Sequence, residues 1–523
     1  SSTSLNQQVH IVYMGDRHHD NTKLITDSHH DLLATVVGSK ELASELMVYS
    51  YKHGLSGLAA KLTESQTQQL SGLGPVPSHW NGVCESGDNF NATIHCNRKI
   101  IGARWFLYGL LVEYAKPLDK EFHSPRDAHG HGTHTSSTAA GSFVANISYK
   151  GLGLGTIRGS APNARLAIYK VCWNVLGGKC STADMLKAFD EAIHDGVDVL
   201  SLSLVNSVPL FSDVDEHDGI ATGSFHAVAN RITVVCAVGN SGPSAQTVVN
   251  TVPWIITVAA STMDREFSTS ITLGNNKTFL GQRLDLQASY THSLKGLPLE
   301  GGSTTKPILL CFTTMGRRAI TNASAIVKEA GGVGLIIAKN PSGALSPCNE
   351  DFPCIEVDYE IGTQILFYIR STKYPLVKLS PPKTIVGKPL SAKVAYFSSR
   401  GPNSITPASL KALWFLSRHP NWSPVAIKSA LVTTAWRKGP SGLPIFAEGS
   451  PQKLANPFDF GRGLVNPNGA VDPGLVYDMG AADYMEYLYA RGYNNSAISR
   501  LIGKNTTCPV KKPSISLTLT YLL

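Results

Sequence analysis

The chain has 523 residues, of which 42% are hydrophobic and 16% charged. That is enough apolar material for one large core or for two or three domains. Low apolar content with high net charge marks a disordered chain, and one Gly in three marks collagen; 47 Gly, 29 Pro and a formal charge of +8 meet neither condition. No apolar run approaches the roughly 18 residues of a membrane span, and the scattered basic residues form no track for nucleic acid. The sequence starts at Ser1 without a charged-then-apolar leader, so a signal peptide, if the protein is secreted, is already absent. Nine Cys are too few for a dense disulfide framework and none has zinc-site spacing; Cys348 and Cys354 are the nearest pair and the candidates for one bridge. Asn-x-Ser/Thr tripeptides at Asn91, Asn146, Asn276, Asn322, Asn421, Asn494 and Asn505 fit a secreted glycoprotein.

In chain order, residues 1–70 read as a small α+β module. A strand at 10–14 is followed by helical spacing at 31–37 and a second strand at 58–62, and a Thr63–Gln66 capping box opens a helix over 64–70. Residues 71–130 read as irregular. From 131 the texture is α/β. A small-residue helix (135–140), a strand (165–171) and a helix (181–195, capped by Ser181 and Gly196) come first. A strand (197–204), a helix (217–230) and a buried strand (232–238) follow. This alternation predicts a parallel sheet with helices on both faces. Residues 270–390, with a helix at 323–330 running into the apolar stretch 331–338, read as an inserted domain. The first texture returns at 391, with a helix near 424–434, and 518–523 read as the start of a strand.

Two segments carry chemistry. In Asp127-Ala-His-Gly-His-Gly-Thr-His-Thr135, a His between glycines ahead of a helix suits a general base. The close spacing of His129, His131 and His134 also admits a metal site, and a Gly-rich turn with a packed His admits neither role. In Val238-Gly-Asn-Ser-Gly-Pro243, Asn240 stands at the carboxyl end of a buried parallel strand, where open α/β sheets bind ligands. Its amide can serve an oxyanion, or the segment is an ordinary Asn-Ser-Gly turn.

Together these segments resemble the plant subtilisin-like serine proteases (subtilases), as do Cys96-Asn-Arg-Lys-Ile-Ile-Gly-Ala103, Phe397-Ser-Ser-Arg-Gly-Pro402, Asn421-Trp-Ser-Pro424 and Asp472-Pro-Gly-Leu-Val-Tyr-Asp478. The resemblance covers nearly the whole chain. It implies an inhibitory propeptide over 1–70 and a doubly wound α/β catalytic domain over 75–270 and 391–480. It also implies a protease-associated insert over 271–390 and the start of a truncated C-terminal β domain over 481–523. It implies His131 as general base, His134 as structural, Asn240 as the oxyanion amide, and Ser201, Leu202, Ser203 and Leu204 along the substrate cleft. No cofactor is implied, and the protein would be extracellular or in the cell wall. His129 replaces a usual Asn, and Val205 a usual Gly.

The resemblance also requires a nucleophilic Ser and an Asp that orients the His. No Asp-Thr-Gly or Asp-Ser-Gly motif lies between the propeptide-like module and His131, and no Gly-Thr-Ser occurs anywhere. Asp127, Ser399 and Ser409 are poor substitutes by position. Loss of one triad member typically costs about 10³- to 10⁶-fold in rate. The sheet is therefore expected to be incomplete, lacking a central strand. Three functions follow: an impaired endopeptidase acting on protein or peptide substrates; a pseudoprotease whose propeptide-like module binds active subtilases; and a metal binder using His129, His131 and His134, or the pairs His18/His19 and His29/His30.

Overall fold

The computed structural model describes residues 8–13, 21–53, 56–63, 66, 73, 76–114, 121–149, 151–174, 178–205, 218–282, 290–296, 307–313, 317–339, 352–387, 391–403, 419, 421–449 and 452–508. In the first module, Gly57–Leu62 is the central strand, antiparallel to Gln8–Tyr13 on one side and Met47–Tyr51 on the other. Helix Thr22–Val37 starts where the Asn21 side chain accepts the Lys23 N–H at 3.0 Å and stops at Gly38, whose φ of 98° only glycine adopts without strain. The inward residues Leu58, Ala60 and Leu62 close on Leu32 and Leu33, so period two in the strand meets a helical stripe. The Thr63–Gln66 box forms, with reciprocal bonds of 2.9 and 3.3 Å; the rest of 64–70 lies outside the described residues.

The parallel strands fall into two pieces. Ile100–Trp105 pairs with Leu166–Lys170, and Val199–Leu202 pairs with Thr233–Ala237, which pairs with Ile256–Val258. Among the described residues no pairing joins the pieces. Helix Thr182–Asp195, capped by Ser181 and by Gly196 at φ 80°, packs with helix Gly219–Ala229 on Val234 and Cys236. Helix Pro424–Thr433 packs Ile427 and Leu431 on Val235 and Ile256. Alternate residues of one strand therefore face opposite helix layers, as a doubly wound sheet requires.

Three expectations change. Residues 71–130 contain the strand Ile100–Trp105, and the Trp80 indole lies over Gly102, 2.6 Å from where a Cβ would stand, and over Gly82. The lone expected bridge is joined by Cys84–Cys96 and Cys172–Cys180, each closing a short loop. Cys354 is disulfide-bonded, while Cys348 lies outside the described residues. Finally, the described residues after 480 form two helices where a β domain was expected to start. Helices Ala481–Ala490 and Asn495–Ile502 send Tyr484, Leu488, Ile498 and Leu501 into the core around Trp254. Residues 509–523, with the expected terminal strand, lie outside the described residues.

Between these parts, strands from Glu266 to Ile385 form an eight-stranded mixed sheet of their own. Helix Arg317–Glu329 covers one face, with Val327 on Leu309, Leu335 and Ile337. Helix Tyr359–Ser371 covers the other, with Ile365 among Leu310, Ile336 and Ala338.

Candidate active site

His131 is the first residue of helix His131–Ala140, directly after Gly130 at φ 95°. Asp127 builds this turn. One carboxylate oxygen accepts the N–H groups of His129 and Gly130 at 2.9 and 2.8 Å; the other accepts the Thr133 N–H and hydroxyl at 2.7 and 2.9 Å. Burial opposes its charge, but the Thr133, Gly130 and His129 donors outweigh that and hold the carboxyl down at about 2. Asp127 thus caps the helix and is not directed at the imidazole; among the described residues no hydrogen bond reaches the His131 ring. His134, expected to be structural, is exposed on the same helix, because no further layer covers that face among the described residues.

Asn240 is also exposed, at the tip of the loop after Thr233–Ala237. The 397–400 segment fixes this loop's roots. The Ser241 N–H donates to Ser399 Oγ at 3.1 Å, the Gly242 N–H to the Phe397 carbonyl at 2.9 Å, and the Ser399 N–H to the Gly239 carbonyl at 3.1 Å. Gly239, at φ 105°, has no room for a side chain, since a Cβ would meet Ser399 Oγ at 2.6 Å. Ser399 is 2% exposed, so it is a brace for the Asn240 loop and not an open nucleophile. Ser409 lies outside the described residues. Arg400, fully enclosed, donates to the carbonyls of Ser398, Ala395 and Glu448 and pairs with Asp459.

Ser201 and Leu202 end the strand Val199–Leu202, in parallel register with Val235 and Cys236; Ser203 and Leu204 continue past it as irregular chain. The strand is shorter than the expected 197–204. Ser201 and Ser203 are exposed while Leu202 and Leu204 are half-buried. The segment and the Asn240 loop share one carboxyl edge; the described contacts do not join His131 to either. One residue that sequence reasoning passed over stands at this edge. Asn250, at φ 56°, donates its amide to the carbonyls of Leu204 and Ala237. Its only sequence signal is an Asn before a strand.

The described histidines do not assemble a metal site. His129, His131 and His134 do not converge on a common point, and among the described residues only Glu191, His194 and Asp195 offer three ligand atoms within reach. Asp195 there is already held by Arg104 and Tyr169. Both ring nitrogens of His29 are within hydrogen-bond distance of hydroxyls, Ser50 at 2.7 Å and Ser56 at 3.1 Å. Burial, helped by Arg98 and His30, lowers it to about 4. His18 and His19 lie outside the described residues. No helix is long and apolar enough to cross a membrane, among the described residues.

Comparison with known proteins gives two family matches: the subtilase family over residues 112–463 and peptidase inhibitor I9 over residues 9–76. The chain is 45% identical over 645 residues to the subtilisin-like protease SBT3.6 of Arabidopsis thaliana, covering 98% of this chain and 83% of that protein. It is 46% identical over 640 residues to SBT3.8 of the same plant, covering 97% and 82%. A 645-position alignment of a 523-residue chain contains more than a hundred positions that only the relative fills. Sphericase, a solved structure, matches 32% of this chain and 58% of its own at 25% identity and a TM-score of 0.21, too low to carry an argument.

Proposed function

The chain belongs to the subtilase family, and from that premise we propose that it is a peptide-binding subtilase scaffold, built for peptide-bond hydrolysis but catalytically impaired. His131 is the inherited general base, Asn240 the oxyanion amide, and 201–204 the substrate-lining segment. The observation that carries the impairment is Asp127: both its carboxylate oxygens are spent on backbone and hydroxyl donors of its own loop. An orienting carboxylate must instead accept from the imidazole N–H, so Asp127 does not set the His131 tautomer, and among the described residues no other carboxylate reaches the ring. A second support is the break between the two parallel pieces. Leu166, Ala167 and Ile168 in one strand, and Val199, Leu200 and Leu202 in the other, are apolar yet only half-buried, as expected of strands facing an unfilled lane. The positions filled only in the relatives agree with lost segments.

The test is labelling of the purified chain by a serine-directed phosphonate, with casein turnover measured alongside. Neither is expected. Turnover that disappears in His131→Ala would overturn the reading.

A second reading is favoured by the inhibitor match over 9–76 and by the module's own core of Val12, Leu32, Leu33, Leu58 and Leu62. In this reading the module binds active subtilases in trans; adding the full chain to an active subtilase and finding no inhibition counts against it. The separate sheet and two cores between 266 and 385 support the protease-associated insert at 271–390. The disulfides support an oxidising, secreted setting. Asn91, Asn146, Asn276, Asn421, Asn494 and Asn505 are exposed and open to glycosylation, while the Asn322 side chain lies outside the described residues.

A further inference from the structure

Three parallel strands run side by side toward the carboxyl edge, and one residue is bonded to the chain just past the first, to the last residue of the second and to the middle of the third. Asn250 Nδ2 donates to the Leu204 carbonyl at 2.9 Å and to the Ala237 carbonyl at 2.8 Å. The Asn250 carbonyl in turn accepts from the Thr257 hydroxyl, in strand Ile256–Val258. Leu204 closes the 201–204 segment, and Ala237 is the last residue of the strand beneath the Asn240 loop. The backbone presents the amide there by taking φ 56°, a conformation Asn tolerates better than most residues.

The chemistry of this junction is restrictive. Two carbonyl oxygens that approach one spot repel unless a donor stands between them. A primary amide offers two N–H groups from a single uncharged atom; a hydroxyl offers one, and an ionised carboxylate offers none. Asn is the short side chain that meets the need.

We propose that Asn250 is a positioning residue for peptide binding: its NH₂ group sets the spacing between the 201–204 segment and the Asn240 loop, and so the width of the cleft. It touches no reacting atom. The proposal rests on the reading of this edge as a substrate cleft.

Two variants of the full chain test it. Asn250→Gly keeps the positive φ at no steric cost and deletes the amide. Asn250→Asp keeps the shape but faces two carbonyls with acceptors; protonation returns one O–H donor. The first readout is the affinity for a fluorescent, amide-capped Ala-Val-Ala-Leu-Ala-Ala peptide, taken relative to the parent chain at pH 8 and pH 5. The second, which needs no ligand, is amide exchange at 199–204 and 237–242, with 308–311 as the internal reference.

Asn250→Gly is expected to weaken peptide binding roughly 10- to 30-fold, the loss of two neutral hydrogen bonds. Asn250→Asp is expected to be weaker still at pH 8 and to recover in part at pH 5, which a mere packing defect would not do. Exchange should rise in both edge segments and stay constant at 308–311. Binding by Asn250→Gly within twofold of the parent, or an Asn250→Asp deficit equal at both pH values, overturns the proposal. If the parent itself binds no peptide, the cleft reading falls. The exchange data then decide alone, and unchanged protection at 199–204 in both variants overturns the clamp.

Discussion

Two strands rich in apolar residues, Gly334–Lys339 of the inserted sheet and Leu166–Lys170 of the parallel region, are buried to different extents. Gly334–Lys339 has a paired strand on each side and a helix on each face, and Leu335 and Ile336 are fully enclosed. Leu166–Lys170 has one paired strand among the described residues, and all five of its residues are only half-buried. Val199–Leu202 behaves the same way, with Ser201 exposed. Hydrophobic composition therefore does not bury a strand by itself; closure of both edges and both faces does. The region that carries the candidate site is the one whose outer strands have a single paired neighbour among the described residues.

The strongest link across the parallel region should give the largest effect when cut. Asp195 takes two Arg104 nitrogens, each at 2.8 Å, and the Tyr169 hydroxyl at 2.7 Å, tying the first parallel piece to the helix that leads into the second. Asp195→Ala removes three charge-assisted hydrogen bonds at once, and although Arg104 keeps Glu191 at 3.2 Å and Glu85 at 3.4 Å, it should cost about 3 kcal/mol. Calorimetry should show the parallel-region transition shifting while that of the insert stays in place.

The contrast in burial itself is next. Leu335→Ala should cost about 2–4 kcal/mol, and Leu200→Ala about 1 kcal/mol, because the second site is already partly hydrated. Equal losses in thermal melts would erase the distinction between the two sheets.

The first module supplies an acid-sensitive comparison. Burial, with Arg98 and His30, lowers His29 from 6.5 to about 4, so the folded form favours the neutral ring. Its stabilisation is complete above pH 6.5 and is lost as pH falls toward 4, by up to about 3 kcal/mol. Exchange at 57–62 should accelerate over that window, and His29→Asn should flatten the profile at some cost in stability.

The smallest effect is expected at Asp127. Its carboxyl lies below the ordinary value, so its contribution is present above pH 4 and fades as pH falls toward 2. Partial exposure holds it to roughly 1 kcal/mol. Asp127→Asn should raise exchange at 129–133 by a similar increment and leave 233–237 unchanged.

Chemistry between near neighbours was the readable part of the sequence. Ser181 and Gly196 bracket their helix as expected, and 232–238 contains its strand. What escaped was fixed at a distance. Ile100–Trp105 contains Gly and Arg and reads weakly as a strand, because what holds it is distant: its pairing strand Leu166–Lys170 and the Trp80 indole over Gly102. Cys84–Cys96 and Cys172–Cys180 join positions that only the folded loops bring together. At the site, the His131 turn was visible as a motif. That Asp127 belongs to it as a cap, and that Asn250 links three neighbouring chain segments, requires the assembled edge.

The Trp80 indole occupies the room that side chains at Gly82 and Gly102 would need. Positions 80, 82 and 102 are therefore bound into one unit of inheritance. Enlarging either glycine evicts the ring, and shrinking the ring opens a hollow that neither glycine can fill. Change at these three places must arrive together or be rejected, a coupling that single-substitution scans would register only as three intolerant sites.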